Sequence, residues 1–178
     1  MKNINISNLI TKEERQHIIK SNFDKNWLDI CVEYPAIFDS SKVLRDFIID
    51  IANFFHFKWM WKSRLTLIAD ELNNNAIEYW SLENDINKMT IKIVINNDEV
   101  ELFLEVEDTW KWIESKTAKE MILKRNTKKL KWFNKNNWIR WRGLFMIIEK
   151  LVDKLYFKDW EKGGLIVWVR KKIEIEKN

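Results

Sequence analysis

The chain has 178 residues, 46% of them apolar and 33% charged, which suits one domain with a real core and is too short for two comfortable ones. No apolar run approaches the ~20 residues that span a bilayer, and the opening stretch MKNINISNLITKEERQ lacks the apolar core of a signal peptide. A cytoplasmic protein with no membrane partner is expected, and a single cysteine rules out an intrachain disulfide.

Residues 1–26 are polar and read as an N-terminal extension with a short helix around 11–21; residues 27–178 form one domain. WLDICVEYPAIF alternates and predicts a strand ending near Pro35. Its Cys31 reads as a buried structural thiol in preference to a nucleophile. SSKVLRDFIIDIANFF carries Val43, Leu44, Phe47, Ile48, Ile51 and Phe55 at helical spacing, with Ser40 or Ser41 as a cap. HFKWMWK reads as a loop, and SRLTLIADELNNNAIEY as a second helix with Leu65, Ile68, Leu72, Ala76 and Tyr79 on one stripe. MTIKIVI and EVELFLEVE are alternating strands joined at Asn96–Asn97–Asp98, a good hairpin turn. Residues 113–138 are basic and partly helical at best. GLFMIIEKLVDKL is a third helix with Leu144, Ile147, Ile148, Leu151 and Leu155 inward. LYFKDWEKGGLIVWVRKKIEIE is a terminal hairpin turning at or near Gly163–Gly164. This order predicts an α+β chain, a two-layer α/β sandwich whose mostly antiparallel sheet carries helices on one face.

Three features interrupt the apolar pattern. Residues 111–142 hold eleven Lys or Arg against Glu114 and Glu120, a pattern shared by solvated segments and by segments that bind polyphosphate or nucleic acid. Glu71 and Asn75 are four apart and leave one helix face. They are either exposed polar positions or a site, with a carboxylate to polarise water beside an amide oxygen for a hard cation such as Mg²⁺. Asp108 follows a strand, as a turn former or a ligand-binding group.

Four stretches together resemble the sequence boxes of the GHKL, or Bergerat-fold, ATPases. ADELNNNAIEYW (69–80) resembles the N-box, VEDTWKW (106–112) the D-x-G-x-G box, IRWRGLFMIIEKLVD (139–153) the G-x-G-L box that opens a helix, and EKGGLIVWV (161–169) the last box. Their order and spacing match across about residues 28–173. Within that superfamily the chain looks most like the anti-sigma factor serine/threonine kinases of bacterial partner switching. With His17 and His56 as its only histidines, neither in a paired-helix pattern, it does not resemble a complete sensor histidine kinase.

The resemblance implies ATP and Mg²⁺ as cofactors and a histidine-kinase-like ATPase domain over 27–178. Glu71 would orient or deprotonate the attacking group through water, Asn75 would hold Mg²⁺, and Asp108 would accept from the adenine amino group. Residues 113–140 would form the ATP lid, and the backbone of Trp141, Arg142, Gly143 and Leu144 would cradle phosphate. The implied partner is a small regulatory protein similar to an anti-sigma antagonist, with a sigma factor as a further one; homodimers are common in that family. Readings from other classes are a GHKL-fold binding module that has lost ATP, and a basic nucleic-acid binder with a base-stacking platform in KLKWFNKNNWIRWR.

The departures from those boxes share one form. Trp80, Trp110, Trp112 and Trp141 stand where the family has glycine, which serves where the backbone needs positive φ or must touch the ligand. The chain has 11 Trp and only 3 Gly, against roughly 12 Gly in an average chain of this length. Asn, Lys and Ile make up 66 residues, as in an AT-rich gene. The pattern is that of UGA codons meaning glycine but translated as tryptophan; Trp168, in the strand LIVWVRK, fits as a genuine tryptophan. A separate departure is Leu165, where the family usually has Thr.

Overall fold

The computed structural model describes residues 2–5, 11–81, 85–96, 99–108, 117–123, 150–160 and 164–174. Strand β1 (Lys2–Asn5) is followed by helix α1 (Lys12–Asn22), β2 (Phe23–Asp24), β3 (Trp27–Pro35), α2 (Asp39–Phe54), α3 (Trp59–Trp80), β4 (Ile86–Asn96), β5 (Glu99–Glu107), β6 (Lys154–Asp159) and β7 (Leu165–Glu174). The sheet has seven strands in the order β1-β3-β4-β5-β7-β6, with β2 paired to β3. β1 lies parallel to β3, and the other pairs are antiparallel.

Strand alternation sorts the two faces. Leu28, Ile30, Val32, Met89, Ile91, Ile93, Leu102, Leu104, Val106, Val167 and Val169 are buried on one face and share a core with Phe47, Ile51, Leu65, Ile68 and Leu72 of the helices. On the other face Glu33–Lys88, Asp29–Lys92 and Glu101–Arg170 pair across strands. Cys31 is buried on that second face, where burial first pushes its thiol up from the ordinary 9.0, so the inert reading holds. An α+β chain with a mostly antiparallel sheet is therefore observed.

Several boundaries differ from the sequence reading. The segment before residue 27 is more than a helix: β1 extends the sheet edge, and α1, closed by a Thr11–Glu14 capping box, packs on α2 and β3. Arg15 of α1 meets Asp50 of α2 at 2.6 Å in a buried ion pair. Neither Ser40 nor Ser41 caps α2, whose N-cap is Phe38 without a side-chain bond. Ser40 Oγ instead donates to the Pro35 carbonyl at 2.8 Å, closing the turn between strand and helix. α3 begins at Trp59, inside the stretch read as loop. Leu155, expected on a helix, is a buried residue of strand β6. Leu144, Ile147, Ile148, Gly163 and the turn at Asn97–Asp98 lie outside the described residues, as does the Tyr79 side chain.

Candidate functional site

The register of the sheet places one polar row at the end of a stack of apolar ones. Val32, Met89, Val106, Val167 and Phe157 stand opposite one another across β3, β4, β5, β7 and β6. Two residues further along, on the same face, β3 offers Tyr34 and β4 offers Asn87, which are direct partners. Continuing the β4–β5 register one step past Lys88–Glu107 brings Asp108 opposite Asn87. The next strand contributes Leu165, one step beyond Glu107–Ile166. Tyr34, Asn87 and Asp108 are all fully buried.

Asp108 is locked there by two contacts to one residue. Its Oδ1 accepts from the Leu165 N–H at 3.0 Å, and its own N–H points at the Leu165 carbonyl at 3.4 Å. The side chain thus completes backbone pairing where the β5–β7 ladder ends. Leu165 serves through its backbone, so the hydroxyl of the usual Thr has no counterpart at this position.

Both ends of α3 are pinned to opposite ends of the sheet. Near its start the Trp61 ring lies 5.1 Å from the Lys171 ammonium on β7. Just past its end the Ser81 hydroxyl donates to Asn87 Oδ1 at 2.7 Å, within the polar row. With a rise of 1.5 Å per residue, Asn75 lies about 9 Å before Ser81 along the axis. Glu71 and Asn75 therefore belong to the half of α3 that runs toward Asp108.

The three consecutive asparagines of α3 have separate duties. Asn73 is fully buried and donates to Ser41 Oγ at 2.7 Å, and Ser41 in turn donates to Asn74 Oδ1 at 3.2 Å. These bonds fasten α3 to α2 and satisfy polar groups that would be costly to bury alone. The Asn75 Nδ2 donates to the Glu71 carbonyl one turn back. Only the nitrogen end of an amide can donate to a carbonyl, so the Asn75 oxygen is left as the acceptor end. An amide oxygen held this way fits a hard cation. Among the described residues no group of three or more His, Cys, Asp or Glu gathers to hold a metal ion.

Glu71 is half-buried. Burial, and then the Asp70 and Glu78 carboxylates, push its carboxyl above the ordinary 4.5. A raised carboxyl on a polar helix face is the kind of group that serves as a general base.

Trp110, Trp112, Trp141, Arg142, Gly143 and Leu144 lie outside the described residues. Trp80 is the last residue of α3. Of the expected lid, 113–140, residues 117–123 are described. A Thr117–Glu120 capping box starts a short helix there, and the Ala118 N–H donates to Asp159 Oδ1 on β6 at 2.6 Å. That contact attaches the segment to the strand edge nearest Leu165, since Asp159 is the direct partner of Leu165.

Two residues of the row went unmarked in the sequence. Tyr34 ends a strand like any aromatic, and Asn87 sits in INKMTIKIVIN, where it occupies the inward phase set by Met89, Ile91 and Ile93. That phase was the available signal. No protein-family model matches the chain, and a search of curated proteins returns no match.

Proposed function

We propose that this chain adopts the Bergerat fold of the GHKL ATPases and is an ATP–Mg²⁺-dependent protein serine/threonine kinase of the partner-switching kind. The observation that carries the reading is the shared position of three groups. Asp108 closes the end of β5 with its carboxylate fixed to β7, while α3 ends on the same polar row and carries Asn75 and Glu71 on the turns that approach it. The order of the sequence boxes agrees with that placement.

Each residue then has a task that its surroundings suit. Asp108 accepts from the exocyclic amino group of the base. The Asn75 oxygen, turned out by the bond from its own nitrogen to the helix backbone, is the ligand for Mg²⁺. Bound Mg²⁺ neutralises phosphate charge. Glu71, with its raised carboxyl, orients the incoming hydroxyl and takes its proton. The basic stretch 111–142, tethered through Ala118 to Asp159, closes over the triphosphate. Catalysis of this kind is mostly positioning and charge neutralisation. The substrate is a small regulatory protein resembling an anti-sigma antagonist, and a sigma factor is a second partner. Loss of ATP binding with the fold retained is the alternative, and it is favoured by the literal tryptophans in the glycine boxes.

The deciding experiment compares the chain as written with a version carrying Gly at 80, 110, 112 and 141. Calorimetric titration with ATP and Mg²⁺ should show binding in the glycine version and none in the other. Absence of binding in both defeats the kinase reading, and phosphoryl transfer that survives Glu71→Ala defeats the role given to that residue. Strong, salt-dependent RNA binding by both versions would favour a nucleic-acid function instead.

A further inference from the structure

The row beneath Asp108 holds more hydrogen-bonding capacity than the described residues use. Tyr34 Oη and Asn87 Nδ2 are buried, and among the described residues neither meets a hydrogen-bond partner. Buried polar groups are nearly always paired, so two such atoms on adjacent strands mark a place with a use. Their orientation is ordered. Asn87 Oδ1 is taken by the Ser81 hydroxyl, which turns the amide nitrogen the other way. The Tyr34 phenol is pushed up by burial first and by the Asp108 carboxylate next, while Asn87 acts on it in the opposite sense, as an amide donor does. Ser81, Asn87, Tyr34 and Asp108 therefore line up as donor to acceptor, hydroxyl to amide to phenol to carboxylate.

We propose that Tyr34 and Asn87 are positioning residues that present Asp108 as a pure hydrogen-bond acceptor, and so make the site select a 6-amino purine over a 6-oxo purine. This rests on the ATP-binding reading given above. A carboxylate fed by donors from beneath, and held by the Leu165 N–H at one oxygen, has acceptor capacity to offer a base and nothing to donate. An adenine amino group supplies the matching donor, whereas the oxygen at that position of hypoxanthine or guanine meets another acceptor. A site built for one hydrogen-bond pattern rejects the inverse pattern strongly, because a buried group is left unpaired. The chain also connects the selection to Ser81, the cap of α3, so base recognition and the helix that bears Asn75 and Glu71 are joined through Asn87.

The test measures ATP and inosine triphosphate binding, each with Mg²⁺, by calorimetry. It uses the chain as written and with Gly at 80, 110, 112 and 141, each with and without Tyr34→Phe or Asn87→Leu. Tyr34→Phe removes only an oxygen that meets no described partner, so the fold survives it, and a thermal melt verifies this. The expected result is a preference for ATP of at least about tenfold, reduced to within about threefold of parity by Tyr34→Phe with the melting temperature unlowered. ATP binding whose preference over inosine triphosphate is unchanged by both substitutions overturns the inference and leaves the kinase reading standing. No ATP binding by any form overturns both.

Discussion

Truncating Asp108 should separate its structural work from its proposed recognition work. Asp108→Ala removes the acceptor of the buried Leu165 N–H, a 3.0 Å bond between a fully buried carboxylate and a backbone group at 2% exposure. Hydrogen bonds to charged groups contribute about 1.5–3 kcal/mol, and an orphaned buried donor costs about the same. A loss near 2–3 kcal/mol follows, which for a domain of this size lowers Tm by about 4–10 °C. Asp108→Asn keeps an oxygen at the same place and should recover most of that stability. It should not recover ATP binding, because the added amide N–H₂ offers donors where the adenine amino group needs an acceptor. Urea unfolding of the three proteins, followed by ATP titration of the glycine-restored forms, checks both halves. If Asp108→Ala unfolds at the same urea concentration as the parent, the strand-end lock is not what holds β5 to β7.

Other positions offer independent checks. Breaking the buried Arg15–Asp50 pair by Asp50→Ala should cost about 3–5 kcal/mol in urea unfolding, because an uncompensated buried charge remains; a double replacement by apolar residues should restore most of it. Glu71→Gln should stabilise the chain at neutral pH. A carboxyl whose folded pKa is raised favours folding while protonated, and that contribution is lost as pH rises through the folded value. The advantage of the amide over the wild type should therefore shrink to nothing below the ordinary value of 4.5, as read from melts across pH, and the same substitution should abolish phosphoryl transfer. Asp153→Ala should weaken the β6–β7 end. Burial alone would raise the Asp153 carboxyl, but the Lys171 ammonium and the Lys172 N–H outweigh it and hold it low. The stability it supplies is present at neutral pH and disappears as pH falls through that lowered value, so the Tm gap to wild type should close in acid.

The elements that could be read from the sequence are those whose side chains repeat without ambiguity. β4 and β5 alternate strictly, and α2 shows a clean 3.6-residue stripe, so their positions follow from burial alone. β6 was lost to a degeneracy of spacing: Leu151 and Leu155 fit a helix, while Leu155 and Phe157 fit a strand equally well. β1 is four residues with Ile4 as its single apolar side chain, too little for any period to register. The first turn of α3 was misread because Trp59 and Trp61 look like displaced loop glycines. At the site, Glu71, Asn75 and Asp108 stand out because polar residues interrupt apolar faces there. Tyr34 and Asn87 do not, since one tyrosine and one asparagine in a strand are ordinary until the register aligns them with Asp108 across β3, β4 and β5.

The tryptophans can be sorted by what each does in the fold, and the sorting makes a prediction about the gene. Trp168 sits in the middle of β7 with its ring stacked on Tyr156 at 4.0 Å and tilted against Phe103 at 6.4 Å. Glycine there would delete that three-ring contact and weaken a strand interior, a loss of about 2–4 kcal/mol for Trp168→Gly by analogy with large-to-small substitutions. Trp59 is 79% exposed at the first position of α3, where glycine is tolerated, so Trp59→Gly should change stability by less than about 1 kcal/mol. Trp61 is intermediate, half-buried with Arg64 and Lys171 over its ring. If the excess tryptophans are UGA codons that mean glycine, UGA should occur at 59, 110, 112 and 141 and UGG at 168. UGG at 110, 112 and 141 would make those residues authentic. The two halves of the prediction are independent, one measured by unfolding and the other by sequencing. A chain in which Trp168→Gly is silent and codon 168 is UGA would show that the ring stack has no part in the native fold.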